Sequence, residues 1–211
     1  ELFRALNEWP HSPQHIEKRA DWYRSFGLQN TEEALSSFVA YRQRTINAGA
    51  ATYNQAFREL YDPSQSHQKA WSHMCATFDD LLEQQHRNET AACRVVGLVI
   101  ETRPDTITPD NLRMFRQLGC TKIQIGIQST RQEILDANLR HMTVVQIKRA
   151  FSLIRLYGFK IHSHLMVNLL GATPEEDKCD FNNFVTDPGF LPDEIKLYPC
   201  ALVAGTQLVK A

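Results

Sequence analysis

The chain has 211 residues, 43% of them hydrophobic, and a formal net charge of −1: enough for one sizeable core, with no bulk charge to mark a polyanionic or membrane partner. No apolar run approaches the ~20 residues needed to span a bilayer and no signal-peptide pattern opens the chain, so a cytoplasmic protein with no membrane contact is expected. Cys75, Cys93, Cys120, Cys179 and Cys200 are odd in number, with no close pair, which fits a reducing compartment.

Residues 1–87 read as a mainly helical portion. Thr31-Glu32-Glu33 opens a helix that continues through Arg44, Gly49 marks a joint, Pro63 breaks the chain, and a second helix runs from about Gln65 to His86. Trp9, Trp22, Tyr23 and Phe26 are expected to pack this portion onto something. The chain opens on Glu1 rather than Met and stops at Lys210-Ala211 without a closing element, so a piece of a longer protein is expected.

Residues 88–211 alternate strand and helix. The strands read VVGLVIE (Val95 to Glu101), TKIQIGIQ (Thr121 to Gln128), FKIHSHLMVN (Phe159 to Asn168) and EIKLYP (Glu194 to Pro199). Between them, Thr108-Pro109 caps a helix with Leu112, Phe115 and Leu118 on its buried stripe and Gly119 at its end. Thr143 opens a second with Val144, Ile147, Phe151, Ile154 and the terminator Gly158, and Thr173-Pro174-Glu175-Glu176 a third with Phe181 and Phe184, closed by Asp187-Pro188-Gly189. Repeats of this kind make parallel βα units.

Side chains alternate along a strand with period 2, so each strand has a defined chemistry on either side. Ile123, Ile125 and Ile127 share a side, as do Phe159, Ile161, Leu165 and Val167, and likewise Ile195 and Leu197. Opposite them fall Glu101, Gln124, Gln128, His162, His164, Asn168, Lys196 and Tyr198. A flat parallel sheet covered on both faces is nearly all apolar; apolar on one side and polar on the other predicts an α/β partial barrel with helices outside and a ligand-bearing lumen. From Leu112 to His162 the basic residues Arg113, Arg116, Lys122, Arg131, Arg140, Lys148, Arg149, Arg155 and Lys160 face only Glu133 and Asp136, a local excess that can steer RNA or simply solvate helix faces.

Four ordered motifs then become specific: Glu101-Thr102-Arg103-Pro104-Asp105; Gln124-Ile125-Gly126-Ile127-Gln128-Ser129 following Leu118-Gly119-Cys120-Thr121-Lys122; Gly158-Phe159-Lys160-Ile161; and Pro192-Asp193-Glu194-Ile195-Lys196-Leu197-Tyr198-Pro199. Together they resemble the radical SAM domain of the catalytic subunit of the Elongator complex and its archaeal and bacterial relatives. The resemblance implies a partial βα barrel, incomplete here, that holds S-adenosylmethionine against a [4Fe-4S] cluster. It also implies an acetyltransferase domain, absent from this chain, that handles acetyl-CoA as substrate, the whole carboxymethylating the wobble uridine of tRNA. In that picture the cofactor pocket draws on Glu101, Arg103, Gln124, Gln128, His164, Asn168, Lys196 and Tyr198, and RNA contact on Arg140, Lys148, Arg149 and Arg155. The implied partners are tRNA and other Elongator subunits or a second copy of the chain.

The sequence departs from that pattern in several places. It lacks the three closely spaced cysteines that hold such a cluster, so no metal ligands are expected within it. The Gly-Gly-Thr strand is missing, His141 and Met142 stand where relatives have glycine and histidine, and Val167 stands where Met-Pro is usual. A catalytically silent barrel that binds tRNA or protein, or a barrel lyase with Lys196 as amine nucleophile, therefore competes with the enzyme reading. His162 and His164 have a chelating spacing without an evident third ligand, and Glu101 has a salt bridge to Arg103 as its structural alternative. No G-x-S-x-G, G-x-G-x-x-G or P-loop run occurs.

Overall fold

A computed structural model describes residues 2–11, 13–14, 16–17, 21, 32–56 and 76–202. It divides into two compact units, Glu1–Arg94 and Val95–Ala211. In the first, the described helices are α1 (Leu2–Asn7), α2 (Glu32–Asn47) and α3 (Phe78–Asn88). Helix α3 starts at a capping box in which Thr77 and Asp80 satisfy each other's backbone amides, and Asn7 bonds both Gln84 and Asn88 to hold α1 against it. Trp9 is exposed, while Thr31, Pro63, Trp22, Tyr23, Phe26 and residues 65–75 of the expected 65–86 helix lie outside the described residues; within them that helix starts only at Phe78, because Thr77 takes an extended backbone and caps it. No described helix is long and apolar enough to cross a membrane.

The second unit is a four-stranded parallel sheet in the order β1 (Val99–Thr102), β2 (Lys122–Gln128), β3 (Lys160–Val167) and β4 (Glu194–Pro199), open rather than closed into a full barrel. Helices α4 (Pro109–Gln117), α5 (Gln132–Ala137), α6 (Val144–Leu156) and α7 (Pro174–Thr186) lie in the crossovers. Thr108, Thr143 and Thr173 cap α4, α6 and α7 as expected, each side chain accepting from an amide of the first turn. After α4 and α6 the chain turns through Gly119 and Gly158 at φ 86° and 75°, a left-handed backbone that glycine adopts without a Cβ clash.

The core lies between the apolar face of the sheet and the helices. Ile123, Ile125, Ile127, Ile161 and Leu165 from β2 and β3 are buried against Leu112, Phe115, Ile147, Phe151, Ile154 and Phe184, with Phe190 completing an edge-to-face aromatic group. Ser163 points into this apolar side and is accommodated because its hydroxyl donates to the Ile125 carbonyl at 3.1 Å.

Three sequence expectations are corrected. The first strand begins at Val99, not Val95: Val96 is 91% exposed, and only from Leu98, whose carbonyl accepts the amides of Thr121 and Lys122, does the backbone pair with β2. Leu197 is half exposed because β4 is an edge strand, and Phe181 faces outward on α7 while Phe184 alone fills the core. The six-residue helix α5 went unread, being too short for a periodic apolar signal.

Candidate functional site

The polar face of the sheet is organised in layers set by strand register. Glu101, Gln124, His162 and Glu194 align across the four strands, and Gly126, His164 and Lys196 form the next layer toward the strand C-termini, with Tyr198 beyond. Gln124 donates to Glu101 Oε2 at 3.0 Å, and His164 Nδ1 lies 3.9 Å from Glu101 Oε1. The His162, His164 and Tyr198 rings stack edge to face with centroids 5.6 and 5.5 Å apart. The structure therefore brings Glu101, Gln124, His164, Lys196 and Tyr198 together as the period-2 reading predicts.

Burial pushes the pKa of both His162 and His164 down, helped at His162 by the Lys196 charge. A neutral His164 whose Nδ1 faces the Glu101 carboxylate leaves Nε2 as an acceptor, and that nitrogen is enclosed without a hydrogen-bond partner.

Gln128 reaches the same face by a different route. The β2–β3 register slips between Gly126 and Gln128, and Gln128 takes φ 72°, so its amide folds back over Gly126. Arg140 approaches from the loop before α6 and donates to the Gly126 carbonyl at 3.1 Å, while Arg103 donates to the Arg140 carbonyl at 3.3 Å. The expected alternative partner of Glu101 is not found: Arg103 pairs with Asp105 at 3.1 Å. Asn168, at φ 60° after β3, is exposed, and its backbone N–H donates to Asp177 Oδ2.

The other basic residues lie on or beside the helix layer. Lys148 pairs with Asp187 at 2.6 Å, Arg155 donates to the carbonyls of Phe190 and Leu191, and Arg149 is exposed. Two groups on the polar face escaped the sequence reading although parity marks both: Lys122, two before Gln124, and Glu194, two before Lys196, form an ion pair at 2.8 Å that spans β3. The hydrogen bond from Lys122 holds the Glu194 carboxyl below its ordinary range. Asp180 of α7 carried no sequence signal. It is buried and accepts from the Ser129 hydroxyl and from the amide and hydroxyl of Thr130, tying α7 to the end of β2.

Among the described residues no group of three His, Cys, Asp or Glu is placed to hold a metal, and the described cysteines, Cys93, Cys120, Cys179 and Cys200, are unpaired and dispersed. An iron-sulfur cluster thus finds no thiolate set among them. S-adenosylmethionine does fit the donor set: a carboxylate and amide at Glu101 and Gln124 suit hydroxyl and amine groups, and His164 Nε2 awaits a donor.

An open parallel βα sheet with helices on one face and an acid-amide-imidazole row on the other defines an open α/β domain of βα units. A profile of the radical SAM superfamily matches residues 72–179, and the chain belongs to that family, whose chemistry implies S-adenosylmethionine and a [4Fe-4S] cluster. It is similar to the tRNA uridine(34) acetyltransferase of Methanocaldococcus infernus, 40% identical over 128 residues, 61% of this chain and 24% of the relative. It is also similar to human Elongator complex protein 3, 32% identical over 151 residues, 72% of this chain and 26% of the relative. The solved archaeal Elp3 from M. infernus superposes with a TM-score of 0.60 at 39% identity, covering 61% of this chain and 30% of that one. The chain spans about a quarter of the length of the curated relatives it matches.

Proposed function

We propose that this chain is the S-adenosylmethionine-binding segment of a transferase that modifies the wobble uridine of tRNA, with acetyl-CoA as the acyl source. The observation that carries the reading is the Glu101–Gln124–His164 row with its unmet Nε2, in a chain similar to named tRNA uridine(34) acetyltransferases. When bound, S-adenosylmethionine supplies radical chemistry; the residues here bind and orient. Glu101 accepts hydroxyl or amine protons and fixes the Gln124 amide, neutral His164 accepts at Nε2, and Lys196 with Tyr198 borders the pocket on the β4 side. Gln128, Arg103 and Asn168 frame its open end at the strand C-termini, where βα barrels place their sites. RNA contact falls chiefly to exposed Arg149, since Lys148 and Arg155 already bind Asp187 and the 190–191 loop. Other Elongator subunits, or a second copy of the chain, and a cytoplasmic location belong to the same reading.

The test is a titration of the chain with S-adenosylmethionine followed by NMR of the histidine rings. His164 signals are expected to shift, and Glu101→Ala to abolish the shift with the fold intact by circular dichroism. Unmoved ring signals at millimolar ligand overturn the reading; if tRNA is nevertheless retarded in a gel, the chain is a silent RNA-binding module.

A further inference from the structure

Strands β2 and β3 both end on a residue that is not glycine yet adopts the left-handed backbone, Gln128 at φ 72° and Asn168 at φ 60°. A residue with a Cβ stays in that region only when its surroundings hold it there. Both ends are held by the same helix, α7. The Asp177 carboxylate accepts the Asn168 N–H at 2.9 Å. The Asp180 carboxylate takes the two residues that follow Gln128: Oδ2 accepts the Ser129 hydroxyl at 2.5 Å, and Oδ1 accepts the Thr130 N–H at 2.7 Å together with the Thr130 hydroxyl. Ser129 Oγ accepts in turn from the Arg131 N–H at 3.0 Å, and the Arg131 guanidinium reaches Glu176 of α7 at 2.8 Å.

Glu176 and Asp177 stand in the first turn of α7, where the helix dipole favours acids. Asp180 stands in mid-helix on the inward side, one turn before Phe184, and is buried together with Ser129 and Thr130. An aliphatic side chain would pack there without desolvating a charge, and the groups that meet this carboxylate are neutral donors rather than a cation. What those donors fix is the turn that carries Gln128 back over β2.

We propose that Asp180 is a positioning residue: through Ser129 and Thr130 it fixes the turn after β2 so that Gln128 stays at the mouth of the pocket, while Asp177 does the same for Asn168 at the end of β3. The ligand framed in this way rests on the function proposed above; the hold on the two strand ends does not. Asp180→Asn keeps the volume and removes the charge and one acceptor oxygen. A left-handed residue gives a strong intraresidue HN–Hα NOE, and that of Gln128 is expected to weaken in this variant while that of Asn168 persists. Asp177→Ala should give the reverse pattern. S-adenosylmethionine is expected to bind Asp180→Asn roughly tenfold more weakly than the unaltered chain. Gly158→Ala, which lowers stability away from this turn, should leave both the NOE and the affinity at their original values and so separates positioning from loss of stability. Should Asp180→Asn lose its folded circular dichroism spectrum, Ser129→Ala, which removes a single donor, is read in the same way. An unaltered Gln128 NOE in the folded variant overturns the proposal, and so does a weakened NOE with unchanged S-adenosylmethionine affinity. If the unaltered chain binds no S-adenosylmethionine, a weakened NOE retains the hold on the strand end and overturns the functional reading instead.

Discussion

His164 keeps one ring nitrogen unpaired in a buried ring. Its ring is nine-tenths buried, its Nδ1 faces Glu101, and its Nε2 has no partner. Because burial holds the folded pKa of His162 and His164 below the ordinary 6.5, the unfolded chain takes up protons first as pH falls. The stability these two rings contribute is complete above pH 6.5 and is lost as pH drops toward the folded values. Urea midpoints of the wild type are therefore expected to fall more between pH 7.5 and 5.5 than those of H162N/H164N; parallel midpoints would show that the rings titrate as in the unfolded chain. At Asp180 a carboxylate answers three donors, so Asp180→Ala strands Ser129 and Thr130 and should cost about 2–4 kcal/mol by urea titration. On the opposite side of the sheet Ile125 is fully buried, and Ile125→Asp puts a charge beneath the helices at a cost comparable to total stability, with loss of the folded circular dichroism spectrum.

Among the elements, β2 does most to shape the site. Its odd positions fill the core, its even positions Lys122 and Gln124 face the pocket, and its slip after Gly126 turns Gln128 back over the strand. Where α6 hands over to β3, Gly158 sits at φ 75° with Arg116 Nη2 only 2.8 Å from where a Cβ would be. Arg116 there bonds the carbonyls of Tyr157 and Gly158 and stacks on Phe159. Gly158→Ala is expected to lower stability by about 1–2 kcal/mol, read as a drop in Tm, with the cofactor face unaltered.

For the second unit as a whole, its layering separates basic residues by role. Arg140 turns to the strand ends, Lys148 and Arg155 fasten the loop before β4, and Arg149 remains outward. Arg149→Glu should weaken tRNA binding and flatten its salt dependence by about one counterion in filter-binding measurements, whereas Lys148→Glu should act first on stability, since it breaks the Asp187 pair. Most of this unit was legible in the linear chain: threonine caps, glycine stops and alternating isoleucines are local signals, so α4, α6 and α7, three of the four strands and the Glu101, Gln124, His164, Lys196 and Tyr198 face followed from them. Alternation says which side a residue takes but nothing about its neighbour on the next strand. Register, and the slip that recruits Gln128, the Lys122–Glu194 bridge, the buried Asp180 tie and the inward turn of Arg140, depend on pairings tens of residues apart. Those were decided only when the strands paired and helices settled on them, because hydrogen bonds and desolvation act through space and not along the chain.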